Sequence, residues 1–153
     1  MKINCTRIIQ APAEALWSYL GDYANIHRFH PMLKNNGSHF IEGTTSCEIG
    51  STRQCDFKDG NFLKERVTDW KEGSHYTIEV YETSMPVNSA KATLGVRAID
   101  SQTTEAYMQI EMEPKFKIMQ PMMYLMFKYK AGAGVLKGLE KIYQEENEPV
   151  GIS

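Results

Sequence analysis

Residues 118–143, IMQPMMYLMFKYKAGAGVLKGLEKIY, decide the architecture. Ile118, Met122, Leu125, Tyr129, Gly132, Leu136, Leu139 and Tyr143 recur at alternating steps of four and three, one face of a helix about seven turns long. The acid-rich residues 145–148 and Pro149 close it. Such a helix needs a surface on which to bury its stripe.

That surface lies upstream. Tyr76, Ile78 and Val80 alternate with Thr77, Glu79 and Tyr81, and Leu94, Val96 and Ala98 alternate with Thr93, Gly95 and Arg97. Ala106, Met108, Ile110 and Met112 keep the same period. Turn signals at Glu42-Gly43, Asp59-Gly60, Glu72-Gly73, Met85-Pro86 and Asp100-Ser101 cut residues 38–112 into six strands. One apolar face per strand is the mark of an antiparallel sheet covered on one side.

At the N-terminus Ile3, Cys5 and Ile9 make a first strand ending at Ala11-Pro12. A short helix follows, with Pro12 in its first position, Leu16, Trp17 and Leu20 as its stripe and Gly21 as its stop. Asp22 then caps a second short helix that Pro31 ends. The expectation is an α+β fold: a seven-stranded curved antiparallel sheet, two short helices after strand one and a long C-terminal helix. Residues 1–147 form one domain, with 148–153 a short tail.

The 153 residues, 42% apolar and 24% charged, suit one folded domain. A net charge of -2 with scattered Lys and Arg argues against nucleic acid as a partner. No apolar run approaches the ~20 residues of a span, so no stable membrane insertion is expected, and a cytoplasmic location is inferred. Cys5, Cys47 and Cys55 are odd in number and at no metal-ligand spacing, which suits free thiols.

The element order is carried by Ala11-Pro12-Ala13-Glu14 with Leu16-Trp17, by Asp22 to Pro31, and by Ile49-Gly50-Ser51-Thr52-Arg53. Glu65-Arg66-Val67, Glu113-Pro114 and Gly138-Leu139 complete the set. Together they resemble the START-related, polyketide cyclase/dehydrase-like (SRPBCC, helix-grip) superfamily over nearly the whole chain. The resemblance implies a cavity between sheet and C-terminal helix that binds a small hydrophobic or amphipathic ligand: lipid, aromatic or polyketide-like. Its alternative is a polyketide cyclase or dehydratase working without a tight cofactor.

Arg53 and Glu65, which relatives' motifs place facing the cavity, meet only in one register. A two-residue loop at Asp59-Gly60 sets them on opposite faces; a three-residue loop, Lys58-Asp59-Gly60, pairs 53 with 65 and Cys55 with Leu63. The second fits a turn closed by a left-handed glycine, and gives an ion pair able to orient a ligand's carboxylate, phenol or carbonyl. Phe57, Tyr76, Ile78 and Met108 are expected to join the lining from the sheet, and Met122, Met126, Tyr129 and Gly132 from the helix.

Gly132 either admits a strand side chain or leaves room for a ligand. Met119, Met122, Met123 and Met126 suit a portal, a variable ligand or a homodimer contact. His27 and His30, three apart with Asp22 one turn away, supply no third marked ligand, so no metal is expected. His30 is a proton-transfer candidate near the cavity mouth, and Thr83 to Val87 a candidate lid. Phosphate loops, paired zinc cysteines and nucleophile elbows are missing from the sequence, so no cofactor is expected.

Overall fold

The computed structural model describes residues 1–147; the proposed tail and the helix stop at Pro149 lie outside the described residues. Seven strands form one antiparallel sheet in the order β1-β7-β6-β5-β4-β3-β2. They are β1 (Lys2–Ile9), β2 (Leu33–Phe40), β3 (Thr52–Phe57), β4 (Phe62–Lys71), β5 (His75–Thr83), β6 (Val87–Asp100) and β7 (Thr103–Pro114). Since β1 and β2 lie at opposite edges, the chain between them must cross the sheet. It does so through α1 (Ala13–Leu20) and a 3-10 helix, Tyr23–Arg28.

The crossing buries Leu16, Trp17, Leu20, Tyr23 and Ile26 against the apolar face. Pro12 sits one residue outside α1, as its N-cap. The second short helix is a 3-10 turn kinked at Asn25, and Asp22 caps no backbone amide there; its carboxylate takes the Asn25 side-chain amide instead, at 3.1 Å. A short polar segment gains little from regular helix, and the local side-chain bond competes with it.

β2 begins at Leu33, five residues before the alternation shows. Between Leu33, paired with Phe57, and Ser38, paired with Cys55, the register slips through a bulge holding Asn36 at φ 53. The bulge erases the period-two signal. The β3–β4 turn is the three-residue form: Arg53 pairs with Glu65 and Cys55 with Leu63, and Gly60 takes φ 93.

Near the β4–β5 turn, one carboxylate ties the crossing helix to the sheet. Glu72 accepts from the indole of Trp17 at 2.7 Å and from that of Trp70 at 2.9 Å. The rings meet edge to face with centroids 5.5 Å apart, and Trp70 stacks on Tyr76 at 5.2 Å. Glu72→Ala leaves the buried Trp17 N–H unpaired, so urea denaturation is expected to show a loss of about 1–2 kcal/mol. Glu72→Gln, which keeps an acceptor, is expected to lose less than half of that.

The C-terminal helix runs through a single turn Lys117–Met119, α2 (Gln120–Leu125), a π-helical segment Met126–Gly132, and α3 (Ala133–Glu146). In the π segment the Ala133 amide bonds back five residues, to the Lys128 carbonyl. The Cys5 thiol donates to the same carbonyl at 3.3 Å. Gly132 lies against Cys5, where any Cβ would collide with the sulfur. Of the two readings of Gly132, the structure shows the strand side chain.

A π turn takes one residue more than an α turn, so the helix face loses its phase across it. The buried residues there are Met123, Phe127 and Ala131, not Met122, Met126 and Tyr129. Ile118, Met122, Leu125 and Tyr129, expected inside, are 91%, 59%, 56% and 61% exposed. Beyond the π segment Val135, Leu136 and Leu139 are buried, and the expected stripe resumes.

Candidate functional site

Between the sheet and the π segment lies a pocket of about 80 Å³, lined almost wholly by apolar side chains. β3 supplies Arg53, Cys55 and Phe57, β4 supplies Leu63 and Glu65, and β5 supplies Ile78 and Val80. β6 and β7 add Leu94, Met108, Ile110 and Met112, while Phe127 and Ala131 close the helix side. Met85, in the expected lid, also reaches the lining; the Thr83 hydroxyl holds that loop by accepting from the Met85 amide at 3.0 Å.

Arg53 and Glu65 are 2% and 3% exposed, which rules out a solvated surface pair. Antiparallel pairing sets them side by side on the inner face. Nε and Nη2 of Arg53 both approach Oε1 of Glu65. Nη1 donates to the Tyr23 carbonyl at 2.7 Å, and the guanidinium lies 4.0 Å over the Tyr23 ring. Every guanidinium nitrogen is therefore engaged, whereas among the described residues none donates to Oε2 of Glu65.

Burial pushes the Glu65 carboxyl above the usual carboxylate range, and the Arg53 charge and hydrogen bonds oppose that push. Burial raises the Tyr23 and Tyr76 phenols, although the Arg53 charge works against it, so both keep their protons. Their hydroxyls are buried without a hydrogen-bond partner. Cys55 is pushed up to about 12 by burial, and Cys5 and Cys47 are also raised, chiefly by burial. Thiols in that state are poor nucleophiles.

His30 lines the pocket beside Phe57, with ring centroids 6.1 Å apart. The Met32 amide donates to Nδ1 at 3.3 Å, leaving the proton of the neutral ring on Nε2. Desolvation, with the Arg53 charge behind it, lowers its pKa from 6.5 to about 3. The unfolded chain therefore binds a proton near 6.5 that the folded chain refuses until about 3.

Stability from His30 is thus fully present above pH 6.5 and is lost as pH falls toward 3, at up to about 1.4 kcal/mol per unit. Urea denaturation at pH 7 and pH 5 is expected to differ by roughly 2 kcal/mol, and His30→Gln to remove most of that difference.

Five of the expected site residues, Arg53, Phe57, Glu65, Ile78 and Met108, share this pocket. Tyr76 stands behind the wall, fully buried, its ring centroid 6.0 Å from the Arg53 guanidinium. Met126 is half-buried outside the lining, and Gly132 packs on Cys5. Met122 and Tyr129 face solvent, a correction that follows from the π turn.

Phe127 was hidden by the same slip, whereas Ile110 and Met112 continue the visible alternation of Met108. Among the described residues no three metal-ligating side chains cluster, and His27 Nδ1 sits 2.7 Å from the Ser38 hydroxyl. No helix among them is long and apolar enough to cross a membrane.

The sequence pattern of one protein family, described as polyketide cyclase / dehydrase and lipid transport, matches residues 1–145. The chain belongs to that family. Among solved structures it is similar to the Zhui aromatase/cyclase from Streptomyces sp. R1128, at 12% identity and TM-score 0.83, over 99% of this chain and 98% of that one.

It is also similar to a START superfamily protein from Mycobacterium smegmatis, at 13% identity and TM-score 0.79, over 95% and 99% of the two chains. A third is the protein XoxI from Bacillus cereus, at 18% identity and TM-score 0.77, over 97% and 99%. Identities this low carry the fold alone. No curated protein matches the sequence.

Proposed function

We propose that the protein binds one small, largely apolar molecule in the sheet–helix pocket and reads its polar group at Glu65 and His30. The observation that carries this is a buried ion pair set in a mostly apolar wall, with Oε2 of Glu65 left open to a donor. A hydroxyl or phenol fits that acceptor, and the neutral His30 ring offers Nε2–H to a carbonyl or carboxylate. Membership of the family supports the same reading.

The pocket must widen to take such a guest. Its 80 Å³ falls short of the ~300 Å³ at which ligand pockets begin. Met85, Met108 and Met112 are unbranched and can shift rotamer, and Phe127 sits on a segment whose hydrogen bonds are already non-standard.

The cyclase alternative draws on the same groups and on the similarity to an aromatase/cyclase. Its acid–base inventory is weak: a histidine with pKa about 3 is a poor base at neutral pH, and Glu65 is committed to Arg53. Binding therefore stands first.

Thermal unfolding with a panel of fatty acids, aromatic phenols and flat polycyclic ketones tests the proposal. A saturating ligand at about 100 times its Kd adds about 2.7 kcal/mol, and the shift is expected to shrink in Glu65→Gln. If no member of the panel binds saturably at one per chain, the reading fails. Turnover of a polyketone into a cyclised product would move the alternative ahead.

A further inference from the structure

We propose that the outer face of the C-terminal helix start docks, as a peripheral contact, on an anionic lipid surface. Of the nine exposed large apolar side chains among the described residues, five lie between 116 and 129: Phe116, Ile118, Met122, Leu125 and Tyr129. From Ile118 to Tyr129 they step by four, three and four, which aligns them along one side of the helix. An apolar stripe on an otherwise polar surface marks an interaction site.

Charge names the partner. From Lys115 to Leu139 the chain has five lysines, at 115, 117, 128, 130 and 137, and no Asp or Glu, although the whole chain carries a net charge of -2. The acids that flank this stretch are Glu111 and Glu113 on β7 and Glu140 on α3; Glu111 lies 3.8 Å from Lys2, and Glu140 is paired with Arg7 at 2.8 Å. Lys128 Nζ sits 3.3 Å from the Tyr124 hydroxyl and 5.9 Å from the Tyr129 ring, and Lys115 Nζ 5.9 Å from the Phe116 ring.

The amines of Lys115 and Lys128 thus fringe the stripe, the arrangement in which lysines reach headgroups and apolar neighbours reach acyl chains. A second copy suits the face less well, because a two-fold contact sets lysines against lysines. Aliphatic Ile118, Met122 and Leu125 at its centre offer little for bases to stack on, which disfavours nucleic acid. Lipid contact would fall on the outer side of the segment whose inner side, through Phe127 and Ala131, walls the pocket.

This inference stands on the exposed face and does not depend on the pocket being a ligand site. Co-sedimentation of the full chain with vesicles of phosphatidylcholine plus phosphatidylglycerol, and with pure phosphatidylcholine, tests it. Binding is expected on the mixed vesicles at low salt, weakened at high salt, and scant on pure phosphatidylcholine. Each lysine contributes about fivefold, so Lys117→Glu with Lys130→Glu is expected to weaken binding more than tenfold.

Ile118→Glu with Leu125→Glu is expected to abolish it with the circular dichroism unchanged, and Ile99→Glu, exposed elsewhere, to leave it intact. Absence of pelleting, or equal pelleting on both vesicles at every salt, overturns the proposal. So does a concentration-dependent dimer that Leu125→Glu dissociates, which would give the face to a second copy. Thermal shifts by pocket ligands, measured without vesicles, report separately on the pocket.

Discussion

Replacing Arg53 with methionine is expected to lower the unfolding free energy by about 3–5 kcal/mol, read as a shift in urea midpoint at constant slope. The substitution strands the Glu65 carboxyl at 3% exposure with no countercharge, and the Tyr23 carbonyl loses a 2.7 Å donor. Most of that cost belongs to the abandoned charge. Arg53→Met with Glu65→Leu is therefore expected to return to within about 1 kcal/mol of the parent, or to exceed it. A double variant as unstable as the single would show that Arg53 acts mainly through Tyr23. Stability recovered without ligand binding would identify the pair as a recognition element kept at the expense of stability.

The second large effect concerns the helix phase. Phe127→Ala is expected to cost about 3–5 kcal/mol, toward the lower end because part of the ring borders an open pocket and not packed core. Tyr129→Ala, at a side chain 61% exposed, is expected to stay within about 0.5 kcal/mol. Both are read by urea denaturation. A regular helix carrying the stripe through Met122 and Tyr129 would reverse the order, so the pair of variants decides where the π turn sets the face.

Much of the architecture was legible because antiparallel strands announce themselves twice, by alternation and by their turns. Lys58-Asp59-Gly60 is the sharpest case. A glycine suited to positive φ selected the three-residue loop, the loop fixed the register, and the register brought Arg53 beside Glu65. Burial of that pair then followed from pleat parity, since Cys55 and Leu63, two positions along on the same face, are buried as well.

What escaped was irregular backbone. The bulge after Leu33 and the π segment each add a residue to a regular repeat, and a periodic reading has no means of counting an inserted residue. The consequence at the helix was systematic: before Gly132 the buried residues, Met123, Phe127 and Ala131, lie one or two positions beyond the expected ones, and after it Leu136 and Leu139 are buried as expected. Gly132 held the clue, because a glycine where Cys5 must pass also marks where the helix gives way. His30, expected near the cavity mouth, does line the pocket, two residues past the 3-10 turn.

A small apolar guest is expected to enter between the sheet and the π segment. Titration of methyl-labelled methionine protein with a ligand that raises the melting temperature, followed by NMR, reads that entry residue by residue. Met85, Met108 and Met112 line the pocket, while Met122 is 59% exposed on the far side of the helix. The three inner methyl signals are expected to shift saturably together while that of Met122 stays in place; shifts at Met122 with the inner three unmoved would contradict the claim.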